Sequence, residues 1–367
     1  MKRFLALDVF RGMTICLMII VNTSGDWQFT FSPLKHANWH GFTPTDLVFP
    51  SFLFAVGNAF AFVKTRWADK PLSAVIGKIL KRTLIIFLLG YTLYWIPFVQ
   101  WNDAGGLSFI PFSETRILGV LQRIALCYFI GAILVYYLNK RQLVIVSGLI
   151  LVGYWIVMSA FGDYSLENNA VRTLDRWLFG DSHLYMGDGI PFDPEGLLST
   201  FPAVVNVLGG YLAGIYIIEG NKINYEKLAK LLLAGAGLLI LSYWWNLGFP
   251  VNKKLWTSSF VTLTVGIDLV LLSILIYATE FVKKPVNFHF FEIFGKNPLS
   301  IYLLSEYLAI FLFFFRVGDQ SLFRFIYEKG FQWIGPYWGA LAFAVAFMLI
   351  CWLVGWWMDR KKIYIRV

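Results

Sequence analysis

Long apolar runs separated by short charged or aromatic connections recur from one end of the chain to the other. A helix that crosses a bilayer needs about 20 such residues. Ten runs fit, at 5-24, 45-64, 82-99, 118-138, 141-161, 198-218, 228-247, 257-279, 297-315 and 337-358. Backbone polar groups have no water to bond in hydrocarbon, and the runs lack the alternation of barrel strands, so each is expected to be helical. The pattern predicts an all-α, polytopic membrane bundle of about ten transmembrane helices, forming a single domain over residues 1–367. The opening MKRFLALD continues through Met18, Ile19, Ile20 and Val21 without a small-residue cleavage site, which predicts a retained first helix rather than a signal peptide.

The connections differ in kind. Cytoplasmic loops collect Lys and Arg, and with an inner N-terminus the inner segments hold 21 of the 31 basic residues. Both termini are therefore expected in the cytoplasm, and topology accounts for the net charge of +9. The inner loop from Lys64 to Arg82 carries six basic residues, among them Arg66 and Lys81, which suits lipid headgroups or a phosphorylated ligand. The outer loop at about 162-197 is long and acidic, and is expected to form a small lid or surface helix. Composition agrees with the membrane reading: 58% of residues are hydrophobic and 14% charged, against about a quarter charged in soluble domains. No basic stripe points to nucleic acid. Cys16, Cys127 and Cys351 fall inside expected helices, and four scattered histidines form no ligand motif, so no metal is expected.

Ionisable groups within spans are functional candidates by default. Asp8 and Arg11 are one helical turn apart and are expected to pair. Arg123 lies about a turn inside the fourth span, and Asp268 has no evident local partner. Asn297 and Glu306 are nine residues apart, 2.5 turns, and so on roughly opposite faces of one helix, which Pro298 opens. The densest cluster is the outer loop from Asn22 to Pro50, which holds Trp27, Lys35, His36, Asn38, Trp39, His40 and Asp46. Trp27 and Trp39 fit an interfacial aromatic belt, and His36 fits an interfacial histidine. A neutral imidazole there also fits a proton acceptor or nucleophile, with Asp46 capping the second helix or orienting the ring.

The same residues carry a resemblance. The blocks LDVFRG (7-12), LMIIVN (17-22), LKHANWHGFTPTDLVFPSFLFAVG (34-57), RILGVLQRIALCYF (116-129), FDPEGLLST (192-200), NKKLWTSSFVTL (252-263), GKNPLSIYLLSE (295-306) and KKIYI (361-365) run in one order along the whole chain. Together they resemble the heparan-α-glucosaminide N-acetyltransferase family, polytopic enzymes that pass acetyl from cytosolic acetyl-CoA to an amino sugar across a membrane. The resemblance puts the family's active-site histidine at His36 and its partner asparagine at Asn22. His40 stands where the family commonly has Asn, Ser305 where the animal enzymes have His, and the interval from Asn22 to His36 is longer than theirs. The animal enzymes' extra lumenal region before the first block is absent, which resembles a bacterial member of the inner (cytoplasmic) membrane.

The resemblance implies acetyl-CoA as donor and a glucosamine-type sugar or oligosaccharide as acceptor, with the bilayer as surroundings and a homodimer left open. His36, Asn22 and Asp46 are the expected catalytic set. Lys64, Arg66, Lys81, Arg82 and Asn297 are expected to hold the donor, and Trp27, Trp39, His40, Arg123, Glu195 and Glu306 the acceptor. Two other readings stay open: an O-acetyltransferase of envelope glycans, and a sugar transporter built around Asp268 and Arg123.

Overall fold

The computed structural model describes residues 4–64, 67, 70–102, 105–220, 223–282 and 287–365. Arg66 lies outside them, as do Lys2, Arg3, Lys222, Lys283, Lys284 and Arg366 of the charge count. The architecture is all-α apart from two small antiparallel hairpins, β1–β2 (Val99–Trp101 with Leu107–Phe109) and β3–β4 (Arg316–Val317 with Gln320–Ser321). The helices are α1 (Leu5–Asn22), α2 (Pro44–Val63), α3 (Leu72–Trp95), α4 (Val120–Tyr137), α5 (Lys140–Ala160), α6 (Ala170–Phe179), α7 (Leu197–Ile218), α8 (Tyr225–Trp245), α9 (Ser258–Ile276), α10 (His289–Lys296), α11 (Pro298–Phe314), α12 (Leu322–Gly330) and α13 (Pro336–Arg360).

Eight of these are long and apolar enough to cross a membrane, and α10 with α11 makes a ninth if that pair, bent by 85°, counts as one span. The tenth expected span is α3. It is 24 residues long, but it begins ten residues earlier than expected and carries Lys78, Lys81 and Arg82 in its first half. These cations therefore stand on a helix rather than in a loop. Lys and Arg are good helix formers whose long stems reach toward the interface, so charge does not end the helix. The acidic outer segment does contain a surface helix, α6, capped by the Asn169 side chain on the Arg172 amide.

The centre of the bundle is α2 packed along α7, with α9, α1 and α4 around them. The backbones come close because glycine lines the contact. A Cβ on Gly57 would run into the Val207 carbonyl, and one on Gly210 into that of Phe54. With lipid on the outside as apolar as any side chain, such close packing is what holds membrane helices together. α10 meets α1 the same way, Gly295 lying against the Asp8 carbonyl and Gly12 against that of Phe291. At the periphery, α5 and α8 bury only 22% of their spans in protein, against 72% for α2 and α9.

Several intramembrane polar residues find partners across helices, although the side-chain amides of Asn58 and Gln122 have none among the described residues. The Ser51 hydroxyl donates to Asp268 Oδ1 at 2.5 Å, joining α2 to α9. Asn206 donates to Thr264 and accepts from the Trp256 indole. Asp8 and Arg11 pair as expected, at 3.7 Å. Asn297 and Glu306 indeed occupy separate places. The Asn297 amide donates to the Ile363 carbonyl at 2.9 Å and accepts from the Ile365 amide at 3.0 Å, clasping the C-terminal tail.

The glycine contact predicts that Gly57→Ala or Gly210→Ala will lower the stability of the detergent-purified protein by about 1–3 kcal/mol, the range for overpacking. Thermal unfolding followed by tryptophan fluorescence measures it. An unchanged midpoint would show that α2 and α7 can separate without loss.

Candidate functional site

The loop between α1 and α2 is organised by the first turn of α2. Thr43 precedes the helix, Pro44 occupies its first position, where a missing N–H is harmless, and Asp46 sits at the third. Asp46 Oδ2 accepts from the Thr43 amide (3.0 Å), the Thr43 hydroxyl (3.0 Å) and the Ala37 amide (3.1 Å). Its Oδ1 faces His36 Nδ1 at 2.7 Å. The carboxylate thus closes a helix cap with one oxygen and holds an imidazole with the other. A carboxylate only accepts, so Nδ1 carries the hydrogen and Nε2 keeps its lone pair.

A third residue completes the arrangement. Lys253, from the loop joining α8 and α9, places Nζ 3.1 Å from both ring nitrogens of His36 and 3.9 Å from Asp46 Oδ1. A position equidistant from Nδ1 and Nε2 lies over the ring face, so the ammonium does not block the in-plane lone pair of Nε2. Two contacts fix that loop: the Gly41 amide donates to the Val251 carbonyl at 2.8 Å, and Asn252, fully buried, accepts from the Leu255 amide at 2.8 Å. His40 stands beside it, 3.4 Å from Asn252 Nδ2.

The opposite flank is an ion network. Arg116 binds Asp193 through two parallel bonds (2.8 and 2.6 Å) and Glu195 through a third (2.6 Å), its guanidinium lying over the Tyr94 and Tyr185 rings. Burial would raise the Glu195 pKa, but Arg116, Arg123 and Lys253 outweigh it and hold the carboxyl below its usual range. Arg123 is fully buried beneath this layer. It donates to the Gly196 carbonyl at 3.1 Å and to the Ser199 hydroxyl, and lies 4.9 Å from the Trp256 ring centre.

Electrostatics keep the imidazole neutral. The surrounding protein desolvates His36 although 45% of its side chain is accessible, and Lys253 adds like charge. Together these hold its pKa below the ordinary histidine value against the opposing pull of Asp46 and Glu195. Burial likewise pulls Lys253 below the usual lysine range, while Asp46 and Glu195 act in the other sense.

The structure brings His36, Asp46, His40 and Glu195 together, with Trp39 alongside. The Trp39 indole N–H is spent on the Tyr164 carbonyl at 2.7 Å, and its ring packs on Phe192. Asn22 is not bonded to His36; its amide donates to Glu306 at 3.3 Å, joining the end of α1 to α11. Trp27 stacks on Phe323 (5.9 Å) and packs near Phe313, in an aromatic group away from the histidine. Arg123 supports the site from below rather than facing an acceptor.

The expected donor residues divide. Arg82 lies over the Tyr128 ring at 4.8 Å, with its Nε unbonded among the described residues. It borders a cavity of about 120 Å³ whose walls include Phe52, Phe60, Ile124 and Leu299, with Arg11 at its edge. Lys64 reaches the Leu138 carbonyl at 3.5 Å, and Lys81 is exposed. Asn297, also expected to hold the donor, has both ends of its amide engaged by the tail. Lys253 and Arg116 were not singled out from sequence, although the shared blocks NKKLWTSSFVTL and RILGVLQRIALCYF contain them. Among the described residues, no group of three or more His, Cys, Asp or Glu is placed to hold a metal ion.

The charge balance on His36 is directly measurable. Carbethoxylation requires a neutral imidazole, so its rate at His36, read by peptide mass spectrometry, should titrate below the ordinary histidine range. Lys253→Gln removes a positive neighbour and should move the midpoint up, whereas Asp46→Asn removes a negative one and should move it down. Shifts in the same direction in both variants would refute this account.

The signature of the heparan-alpha-glucosaminide N-acetyltransferase catalytic region matches residues 3–233, which include His36, Asp46, Arg116 and Glu195. The mouse heparan-alpha-glucosaminide N-acetyltransferase is 26% identical over 377 aligned positions, covering 87% of this chain and 56% of the mouse protein. The human protein of the same name is 27% identical over 362, covering 83% of this chain and 53% of its own length. The chain thus spans about half the length of these relatives. With the catalytic signature running through well over half of the sequence and through the histidine site itself, the chain belongs to the heparan-α-glucosaminide N-acetyltransferase family.

Proposed function

We propose that this chain is a multi-pass N-acetyltransferase of the inner (cytoplasmic) membrane, working as a single domain over residues 1–367. It takes acetyl from cytosolic acetyl-CoA and passes it to the amine of a glucosamine-type sugar or oligosaccharide on the outer face. The observation that carries this reading is the His36–Asp46 pair, with Nδ1 committed to the carboxylate and Nε2 facing the Lys253 Nζ at 3.1 Å. A thioester is already activated, so what the protein must supply is a base for the incoming ammonium and a partner for the developing oxyanion.

Nε2 of His36 takes the proton from the acceptor ammonium, or attacks the thioester carbonyl itself; both routes use the same lone pair. In the first, the freed amine attacks the carbonyl carbon, the C–S bond breaks, the leaving sulfur recovers the proton from the imidazolium, and the amide nitrogen sheds its surplus proton through Nε2 to solvent. In the second, Nε2 bonds to the carbonyl carbon as the C–S bond breaks and CoA leaves as the thiolate, which takes a proton from the acceptor ammonium; the freed amine then attacks the acetyl, its bond to Nε2 breaks, and the amide nitrogen's surplus proton passes to solvent. Asp46 fixes the ring and steadies the imidazolium. Lys253, over the ring, is the donor at hand for an oxyanion, and the family resemblance assigns Asn22 as the histidine's partner, while Glu195, His40 and Trp39 line the acceptor side. At the other end, the open Nε of Arg82 beside an apolar-walled cavity suits a phosphate with a flexible arm passing inward, and Lys64, Lys81 and Arg66 add positive charge.

An O-acetyltransferase of envelope glycans would share the donor and His36. A transporter would rest on Asp268 and Arg123, which bond within the bundle to Ser51 and to Gly196 with Ser199 but leave Asp268 Oδ2 and Arg123 Nε and Nη1 without partners among the described residues.

In detergent and with no membrane gradient, the protein should release CoA thiol from acetyl-CoA when glucosamine is added, and not when a neutral glycan replaces it. His36→Ala should lower kcat/KM by about 10²- to 10⁴-fold, the usual contribution of a general base. Asp46→Asn should lower it by about 10- to 100-fold, as for loss of a group that orients a histidine. Full turnover in a folded His36→Ala protein would sink the proposal, and turnover with neutral glycans alone would transfer it to O-acetylation.

A further inference from the structure

Away from the histidine, a groove of about 930 Å³ opens on the membrane-facing side, walled by α5 and α8 and floored by α7 and α9. It exists because α8 leans on α9 while α5 leans on α7 and α9, so the two walls stand apart. Its lining is mostly aliphatic, running to Trp245 at the end of α8, with Ser147, Tyr216 and Thr262 among the apolar residues and Lys140 and Lys230 as its charged members.

The two lysines mark one end. Lys140 is the first residue of α5, and Lys230 lies in the second turn of α8. The helix starts meet around Glu219, whose carboxylate pairs with Lys140 and whose backbone carbonyl accepts from Lys227 at 2.6 Å. Around this end, Lys140, Arg141, Lys227 and Lys230 stand against two carboxylates, Glu219 and Glu226. The pairs Lys140–Glu219 and Lys230–Glu226 are solvent-exposed on both partners, and exposed pairs hold their members weakly. A net positive end on an otherwise apolar intramembrane groove complements a phosphate joined to acyl chains.

The glycines of the walls point the same way. Gly57 and Gly210 are required by close packing, but a Cβ at Gly148 on α5 or Gly237 on α8 would meet nothing within 4 Å. Both line the groove. They widen it without serving any helix contact, and a helix-interior glycine is otherwise mildly unfavourable.

We propose that this groove binds one anionic diacyl phospholipid of the surrounding bilayer. Its acyl chains lie between α5 and α8 against Gly148 and Gly237, and its phosphate sits at Lys140 and Lys230. The site is separate from His36 and independent of the acetyl-transfer reading.

The test is native mass spectrometry of the full chain released from nanodiscs of equimolar phosphatidylglycerol and phosphatidylcholine. The expected result is one retained phosphatidylglycerol per chain. Lys140→Gln with Lys230→Gln should reduce the preference for it by about tenfold. Gly148→Leu with Gly237→Leu should fill the groove and abolish retention of either lipid, while the thermal midpoint and CoA release stay those of the parent. Equal retention of both lipids by the parent, or retention that neither double variant alters, would overturn the proposal. So would efficient disulfide cross-linking of Val144→Cys, on the groove wall, to a second copy, since another chain would then occupy the space.

Discussion

The Asp46 carboxylate carries two obligations at once, and the outer face of the protein depends on both being met by one side chain. As part of the first turn of α2 it must satisfy the Thr43 amide, which would otherwise be an orphan at the helix start. As the partner of His36 it must stay ionised and aimed at Nδ1. The residue is fully buried, a state an isolated carboxylate could not tolerate. Four donors make it tolerable, and they come from three neighbouring residues of the loop and the cap. A loop with no regular structure beyond one short helical turn is thereby held to a rigid helix, so the imidazole inherits the order of α2.

The same economy governs the interior. Hydrophobic burial cannot drive one membrane helix onto another, so the bundle is held by close backbone approach and by polar groups that have nowhere else to bond. Gly57 and Gly210 provide the first at the α2–α7 contact. Ser51 with Asp268, Asn206 with Thr264 and Trp256, and Arg123 with Gly196 and Ser199 provide the second. These buried groups look like machinery for transport when met one at a time in the sequence. Paired, they are crosslinks that fix the registers of α2, α4, α7 and α9, and those registers set where the outer loops emerge.

Apolar runs and charge counts located nearly every long helix, because bilayer thickness imposes a length that a sequence window can see. They misjudged the start of α3, since Lys78, Lys81 and Arg82 read as loop by hydropathy while the backbone continues as helix. They placed the start of α11 at Pro298 but missed α10 before it, which meets α11 at an 85° bend. In the site, His36 and Asp46 were legible because they lie ten residues apart around a helix-start pattern. Lys253 was not: it is 217 positions from His36, and nothing local distinguishes it from Lys254. The tail contact of Asn297 was hidden for a related reason. A conspicuous asparagine beside a proline says that some backbone needs its amide, not whose, and the tail at Ile363 and Ile365 proved to be the claimant.

One helix also measures the task that the proposed reaction sets. α2 begins at the Asp46 cap, and the small cavity beside Arg82 is lined by its residues Phe52, Ala55, Val56, Ala59, Phe60 and Val63. At 1.5 Å per residue the near end of that cavity is about 9 Å below the histidine site and its far end about 25 Å. The arm of a donor held at the Arg82 end must therefore extend along roughly the length of α2. Between the two lies Pro50, which lacks the N–H that would reach the Asp46 carbonyl, so the helix's own ladder is one bond short just beneath the site. Ser51, one residue further on, turns its hydroxyl away to Asp268. The first turns of α2 thus combine the anchor of the imidazole with a ladder interrupted at Pro50. On the proposed reaction, that is the segment an acetyl group would have to pass.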